Sequence, residues 1–209
     1  TFLEDWQFAV GSSPYGTLYF PAVTGAGRHL TQVVAAGPDT AAPVLQSMVL
    51  TAITSAHRRV LISTPYFVPD DVIFAALTAA ALRGVDVRVL LPRNSDAPFV
   101  AAAGRSYYDE LLALGVRIYE YLPTMHHAKT LVVDEEVAVV GSANLDPRSL
   151  RLNFEVMVFF YGGTLARELG EMFHEDLHQA EEIKAPQRAA LSRWNRLYED
   201  GARLWSPLL

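Results

Sequence analysis

The 209-residue chain contains no cysteine, which excludes disulfide bonds, thiolate zinc sites and cysteine nucleophiles. No apolar run reaches the roughly 18 residues that a membrane-spanning helix needs. Lysine is scarce as well, because 15 of the 17 basic residues are arginine and only Lys129 and Lys184 are lysine. The net charge of −6 argues against a protein that binds duplex DNA through bulk positive charge. What is present, 51% apolar and 19% charged residues, is typical of a globular domain with a sizeable core.

Strand-like and helix-like segments alternate from Gln32 onward. Apolar strands are predicted at residues 32–36, 59–64, 85–91 and 116–121, separated by helices at 42–57, 70–82 and 95–115. This rhythm predicts an α/β fold with a largely parallel sheet sandwiched between helices. A hairpin, a further strand and a long helix follow at 128–140, 153–161 and 165–183, so we expect the sheet to be mixed.

The sequence pattern divides the chain into three parts. Residues 1–31 are predicted to contain a loop rich in glycine, serine, threonine and proline, and residues 32–185 to form the α/β domain. Residues 186–209 form an amphipathic segment whose apolar stripe, interrupted by Gly201, consists of Leu191, Trp194, Leu197, Tyr198, Leu204, Trp205 and Leu208. Such a stripe suits an anchor on a lipid surface, or packing on the domain or on a partner.

Four side chains around the predicted hairpin carry the chemistry. Residues two apart in a strand share a face, so His127 and Lys129 project together, as do Ser142 and Asn144. Folding the hairpin is expected to bring the two pairs into one pocket. An imidazole, an ammonium, a hydroxyl and an amide suit a phosphate ester: the lysine and the asparagine bind non-bridging oxygens, and the imidazole attacks phosphorus or donates a proton.

The string H-x-K-x(4)-D-x(6)-G-S-x-N at residues 127–144 resembles the HKD motif of the phospholipase D superfamily at every position. Flanking segments resemble the C-terminal half of bacterial cardiolipin synthases, namely residues 63–70, 83–87, 106–108 and 144–149. The likeness runs from about Val34 to the C-terminus. Residues 2–6 resemble the end of the helix that closes the family's N-terminal half, so the chain is expected to be a fragment or a processed product.

The resemblance implies a phosphatidyltransferase that makes cardiolipin from phosphatidylglycerol through a phosphohistidine intermediate, without a cofactor or a metal. The reaction needs two imidazoles in different protonation states. No second H-x-K exists in the chain, because none of the other histidines has lysine two residues on: His29, His57, His126, His174 and His178. We therefore expect pairing with an N-terminal HKD half or a second copy. The resemblance also implies association with the cytoplasmic side of a bacterial membrane, with phospholipid rather than nucleic acid as partner.

The resemblance assigns roles residue by residue. His127 is the nucleophile or the general acid, with the motif's lysine and asparagine as phosphate ligands and Ser142 as a weaker one. Asp134 belongs to the catalytic motif, but its position predicts a structural residue of the hairpin turn. By the family pattern, Glu155 is expected to hydrogen-bond the imidazole ring and fix its tautomer.

Other candidates are weaker. Tyr66 and Phe67 follow a strand at the end where α/β sites gather, which favours a substrate-binding wall, although aromatic residues there also pack in cores. His126 is expected on the opposite strand face from its neighbour. The H-E-x-x-H pattern at residues 174–178 has zinc-site spacing, but its acidic neighbours are typical of a solvated helix face.

Three functions stay open at this point. The first is the phosphatidyltransferase. The second is a phospholipase D, phosphodiesterase or nuclease of the same superfamily, in which water resolves the intermediate. The third is a module that binds anionic lipid or phosphate and is inactive when isolated.

Overall fold

The computed structural model describes residues 2–16, 18–22, 25, 27, 29–40 and 42–208. The strands within these residues are β1 Leu30–Ala36, β2 Arg59–Ser63, β3 Asp86–Pro92, β4 Arg117–Tyr121, β5 Thr130–Val133, β6 Val137–Gly141, β7 Glu155–Tyr161 and β8 Ala180–Ile183. The helices are α1 Phe2–Val10, α2 Val44–Thr54, α3 Asp71–Leu82, α4 Pro98–Arg105, α5 Tyr108–Ala113, α6 Pro147–Arg151, α7 Gly163–Leu177, α8 Ala185–Ala189 and α9 Arg193–Arg203. A 3₁₀ turn, Ser206–Leu208, follows α9.

The strands form one sheet in the order β1-β7-β6-β5-β2-β3-β4-β8. The α/β class and the mixed sheet are thus confirmed, but the expectation of a largely parallel sheet was wrong. Only the β2–β3 and β3–β4 pairs are parallel, and the other five are antiparallel. The crossover helices that parallel pairing requires join only these three strands, whereas a short turn joins β5 to β6 and a segment containing α6 joins β6 to β7.

Helices cover both faces of the sheet. On one face, α2 to α5 bury the larger core, in which Leu45, Ile53 and Leu77 are fully buried. On the other face, α7 packs its Ala166 and Phe173 against the sheet. The predicted sandwich of a sheet between helices is therefore what the described residues form.

The long helix predicted to reach Ile183 ends instead at Leu177, and the chain continues as β8 along the open edge of β4. Acidic residues that suggested a solvated helix face form ion pairs there. Glu181 lies 2.5 Å from Arg93, and Glu182 lies 2.9 Å from Arg117. The edge strand is therefore stabilised by partners that are remote in sequence.

Two other segments differ in detail. The helix predicted at 95–115 is divided into α4 and α5, and Tyr107 and Tyr108, where α5 begins, are both buried. Residues 2–6, which resemble the end of a helix, lie in α1, and this helix continues to Val10 in place of the start of the predicted loop, while β1 begins at Leu30. The part of the prediction for residues 1–31 that concerns residues 1, 17, 23, 24, 26 and 28 lies outside the described residues.

Candidate active site

The residues that the sequence predicted to be functional lie where β2 and β6 end and β5 begins. We call this place the catalytic edge of the sheet. The end of β2 pairs with the start of β5, Ser63 opposite Thr130, and the end of β6 lies on the same edge. The backbone N–H of Gly141 donates to the carbonyl of Lys129 at 3.2 Å, so the two arms of the motif meet there. This confirms that the hairpin brings the H-x-K and the G-S-x-N segments together.

His127 and Lys129 lie in the irregular segment that leads into β5. The Lys129 ammonium is 3.2 Å from Nδ1 of His127 and donates to the His127 carbonyl at 3.3 Å. Burial lowers the pKa of Lys129, against the opposing charges of Glu155, Asp146 and Asp96. The imidazole itself is exposed, so a phosphate can approach the ring and the ammonium from the same side.

Glu155 is bound to polar side chains other than the imidazole. Its carboxylate accepts a hydrogen bond from the Ser142 hydroxyl and another, at 3.2 Å, from the amide of Asn153. Asn153 in turn accepts from Nε of Arg148 at 3.2 Å. Among the hydrogen bonds of the described residues, none joins Glu155 to His127, so the expected ring contact is not present. The carboxylate instead anchors Ser142.

Ser142 is occupied on both sides. Its hydroxyl donates to Glu155 and accepts from the backbone N–H of Val156 at 3.0 Å. Its backbone N–H also donates to the Val156 carbonyl at 3.0 Å. The single hydroxyl proton is bound to a carboxylate, so Ser142 holds the site loop against β7. This arrangement does not support its expected role as a hydrogen-bond donor to a phosphate.

Asn144 is held at the start of α6. Its Nδ2 lies 3.2 Å from the Ser149 hydroxyl, and its buried Oδ1 has no hydrogen-bond partner among the described residues. The side chains of Asn144 and Ser149 also hydrogen-bond the carboxylate of Asp146, which fixes the amide at this position. Asp146 caps the helix by accepting from the Ser149 N–H at 2.6 Å, and burial raises the pKa of Asp146.

Tyr66 forms a wall of the site. Its ring stands edge-on to His127, with 6.3 Å between the ring centroids. Its hydroxyl donates to Asp96 at 2.7 Å, and this bond together with burial raises the pKa of Tyr66 to about 12. Phe67 does not line the surface as expected, because it is 3% exposed and packs in the core.

Asp96 is a site residue that sequence reasoning missed. The sequence pattern places it only at the start of the helix predicted over residues 95–115. The signal that would have found it is its position after β3, since the ends of β2 and β3 lie on the same edge of the sheet.

Comparisons with known proteins decide the family. Residues 49–177 match the family model described as "Cardiolipin synthase, PLD-like domain". The chain belongs to this family. It is 41% identical to cardiolipin synthase 2 of Bacillus anthracis and 42% identical to cardiolipin synthase A of Pseudomonas putida, with all of the chain aligned in both cases. The aligned region covers 41% and 43% of those proteins, so the chain spans about two-fifths of the length of the curated relatives it matches.

Solved structures share the fold. The phospholipase D family member Nuc from Salmonella typhimurium aligns over 76% of this chain and all of its own, with a TM-score of 0.64 and 23% identity. The phosphatidylserine synthase of Haemophilus influenzae aligns over 90% of this chain and 50% of its own, with a TM-score of 0.69 and 12% identity. At these identities the likeness concerns architecture.

The aspartate of the family motif is remote from the site. Asp134 lies seven residues beyond His127, roughly 20 Å along an extended chain, with a positive φ of 54° in the hairpin turn. Its carboxylate accepts the backbone N–H groups of His57 at 3.0 Å, Arg58 at 2.7 Å and Arg59 at 2.8 Å. Burial alone would raise the pKa of Asp134, but these donors lower it. Asp134 is a structural residue, as its turn position predicted, and takes no part at the catalytic edge.

The remaining histidines lie elsewhere. His126 faces α7, where its Nε2 is 4.0 Å from Asp176, and burial lowers the pKa of His126 against that carboxylate. Nδ1 of His174 lies 2.8 Å from the Gly170 carbonyl, and His178 follows the end of the helix. The part of the chain that the structure describes holds no group of three or more His, Asp or Glu side chains arranged for a metal ion.

Proposed function

We propose that the chain supplies one half of the active site of a phosphatidyltransferase that makes cardiolipin from phosphatidylglycerol. The observation that carries the proposal is the contact of the Lys129 ammonium with His127, on the same edge as Asn144. A partly buried cation beside an exposed imidazole suits a phosphodiester, whose charge the ammonium offsets while the ring reacts. Membership of the cardiolipin synthase family supports the choice of lipid.

The reaction takes place in two displacements. An imidazole nitrogen attacks the phosphorus of phosphatidylglycerol, so an N–P bond forms and the P–O bond to glycerol breaks. A second, protonated imidazole gives its proton to the departing glycerol. A hydroxyl of another phosphatidylglycerol then attacks phosphorus, the N–P bond breaks, and the hydroxyl proton returns to the second imidazole. His127 takes one of these two roles.

Other side chains of the site bind the phosphate and hold the imidazole in position. Lys129 and an N–H group of Asn144 hold the non-bridging oxygens, whose negative charge grows in each transition state. Tyr66, fixed by its bond to Asp96, packs against the ring of His127 and limits the directions in which the imidazole turns. Glu155 keeps Ser142 and the loop in place.

The second imidazole must come from another HKD segment, because His127 is the only histidine in the sequence with lysine two residues on. An N-terminal HKD half or a second copy of the chain would provide it. The substrate places the enzyme at a lipid surface, which we assign to the cytoplasmic side of a bacterial membrane. Within the described residues, no helix is long and apolar enough to cross a bilayer.

The test is an analysis of the products formed from phosphatidylglycerol vesicles by the full-length protein, purified from its native organism. Cardiolipin and free glycerol in equal amounts support the proposal. Phosphatidic acid as the main product would instead identify a phospholipase D that uses water, and lipid binding without turnover would identify a binding module. The His127→Asn variant is expected to lose turnover and retain lipid binding.

A further inference from the structure

The C-terminal helix α9 packs against α4 with its charged face turned inward. Glu199 is 8% exposed, and its carboxylate lies 2.7 Å from Nη2 of the buried Arg188. Ala202, one turn further on, is buried in the core. Polar residues of a surface helix normally face water, so this helix has the reverse of the usual arrangement.

Further ion pairs fix the rotation of α9 about its axis. Arg196 lies 2.9 Å from Asp109, and Arg203 lies 2.5 Å from Glu110. The Arg203 guanidinium also stacks over the ring of Tyr107, 4.1 Å from its centroid. These contacts come from two successive turns of the helix. They prevent α9 from rotating about its axis so that its opposite face would pack against the domain.

That opposite face is apolar and exposed. Trp194 is 80% exposed and Leu204 is 82% exposed. We define the outward stripe as the exposed residues Trp194, Leu197, Tyr198, Leu204, Trp205 and Leu208. Tryptophan and tyrosine, with an apolar ring and a polar N–H or O–H, are the residues that favour the boundary between lipid tails and headgroups.

The stripe ends beside α6. The 3₁₀ turn that follows α9 contacts α6, the helix that begins just after Asn144. The Tyr107 hydroxyl donates to Ser206 at 3.3 Å and holds the turn there. Pro147 and Leu152, at the two ends of α6, line a cavity of about 330 Å³ together with Pro207. The stripe therefore ends next to the helix that follows the segment carrying Asn144.

The charge of this segment also differs from that of the rest of the chain. Residues 184–208 contain five basic and two acidic side chains, a net charge of +3, in a chain whose net charge is −6. A segment of positive charge with an exposed apolar stripe complements a bilayer rich in anionic lipid. Phosphatidylglycerol, the proposed substrate, is such a lipid.

We propose that the outward stripe of α9 inserts into the headgroup region of an anionic bilayer and so presents the catalytic edge to lipid headgroups. This inference rests on the proposed function for the choice of bilayer. The ion pairs to Arg188, Asp109 and Glu110 act as a latch that holds α9 in the inserting orientation. A second copy of the chain or an N-terminal half seated on the stripe would be a different occupant, and the experiment below separates them.

The experiment uses tryptophan as the reporter. The sequence has three tryptophans, so a Trp6→Phe background leaves only Trp194 and Trp205. The protein is mixed with vesicles of phosphatidylglycerol and phosphatidylcholine whose acyl chains carry bromine, a short-range quencher. We expect quenching that grows with lipid concentration, and a partition coefficient about tenfold lower in Leu204→Asp, as the loss of one buried leucine implies. Leu82→Asp is the matched control, because Leu82 is 71% exposed at the end of α3, away from the stripe.

Leu197→Asp repeats the test at a second position, and circular dichroism confirms that each variant is folded. Equal partition of Leu204→Asp and Leu82→Asp, or no bromine quenching, would overturn the inference. So would protection of both tryptophans from a water-soluble quencher before lipid is added. If stripe variants then changed a dimer into a monomer in sedimentation, the occupant would be a second copy. None of these readouts needs turnover, so the inference and the proposed function can fail separately.

Discussion

The Nζ atom of Lys129 lies 3.2 Å from Nδ1 of His127. An ammonium has no lone pair, so in this contact Nδ1 accepts and a neutral ring carries its proton on Nε2. A bound phosphate competes for the same ammonium and would release Nδ1. We therefore expect a phosphate bound to Lys129 to weaken its contact with Nδ1 of His127.

The activity is expected to depend on the charge of Lys129. Burial lowers the pKa of Lys129 from its ordinary 10.5, so raising the pH removes its proton before 10.5 is reached. We expect kcat/KM to decline on the alkaline side below that pH. In Lys129→Arg the guanidinium stays charged, so the residual activity should persist to higher pH. Lys184→Arg, at the other lysine, is the control, and the same alkaline decline in both arginine variants would contradict the assignment.

The charge of Glu155 is expected to act on Lys129. The Glu155 carboxylate raises the pKa of Lys129 against the effect of burial, so Glu155→Gln should move the alkaline decline to lower pH. Ser142→Ala removes the hydroxyl bound to that carboxylate without changing the charge, and should leave the position of the decline unchanged. Profiles of kcat/KM against pH for the two variants decide the matter. An equal displacement in both would mean that loop position, rather than charge, is responsible.

Asp134→Asn is expected to lower the stability of the fold without changing the catalytic steps. Three backbone N–H groups bind the carboxylate, and hydrogen bonds to charged groups are strong, so we expect a loss of about 2–4 kcal/mol in the free energy of unfolding. Asparagine tolerates the positive φ, so the loss reflects the charge and the second accepting oxygen of the carboxylate and not backbone strain.

The pH dependence of stability provides a check on Asp134. Its pKa in the folded chain is below the ordinary 3.8, so ionised Asp134 stabilises the fold above that value. This stabilisation disappears as the pH falls through the folded pKa. Urea unfolding should therefore show a difference between the wild type and Asp134→Asn that is full near neutral pH and shrinks below about 3.8. A difference that is constant across this range would refute the role of the carboxylate.

Two glycines should respond to alanine in opposite directions. A Cβ at Gly141 would lie 2.8 Å from Cα of Met157, which is backbone, so Gly141→Ala should cost about 1–3 kcal/mol and disturb the catalytic edge. A Cβ at Gly201, inside α9, meets nothing within 4 Å, so Gly201→Ala should stabilise the fold by about 0.5–1 kcal/mol. Thermal unfolding of the two variants tests this, and a shift of equal sign in both would be unexpected.

The sequence predicted the part of the site that depends on local spacing. The tight turn between β5 and β6 sufficed to bring the H-x-K segment next to the G-S-x-N segment, because a hairpin fixes its own register. It also placed Asp134 in the turn. The H-x-K contact needed no information from remote parts of the chain.

What the sequence did not predict depends on pairing between distant segments. β8 forms because β4 has an open edge, and because Arg93 and Arg117 form ion pairs with its acidic side chains. Nothing in the local sequence of residues 180–183 indicates this strand. The bond between Tyr66 and Asp96 joins two loops that meet only when β2 and β3 are adjacent. Periodicity found the apolar stripe of α9, but its outward orientation is set by Arg188 and the other partners of the latch.

The most direct measurement is the ratio of products formed from phosphatidylglycerol that carries labelled glycerol. The reaction is run with the full-length protein from its native organism and with the His127→Asn variant of that protein. We expect one free glycerol for each cardiolipin formed, and loss of both products in the variant. Phosphatidic acid as the main product, or cardiolipin formation that survives His127→Asn, would contradict it.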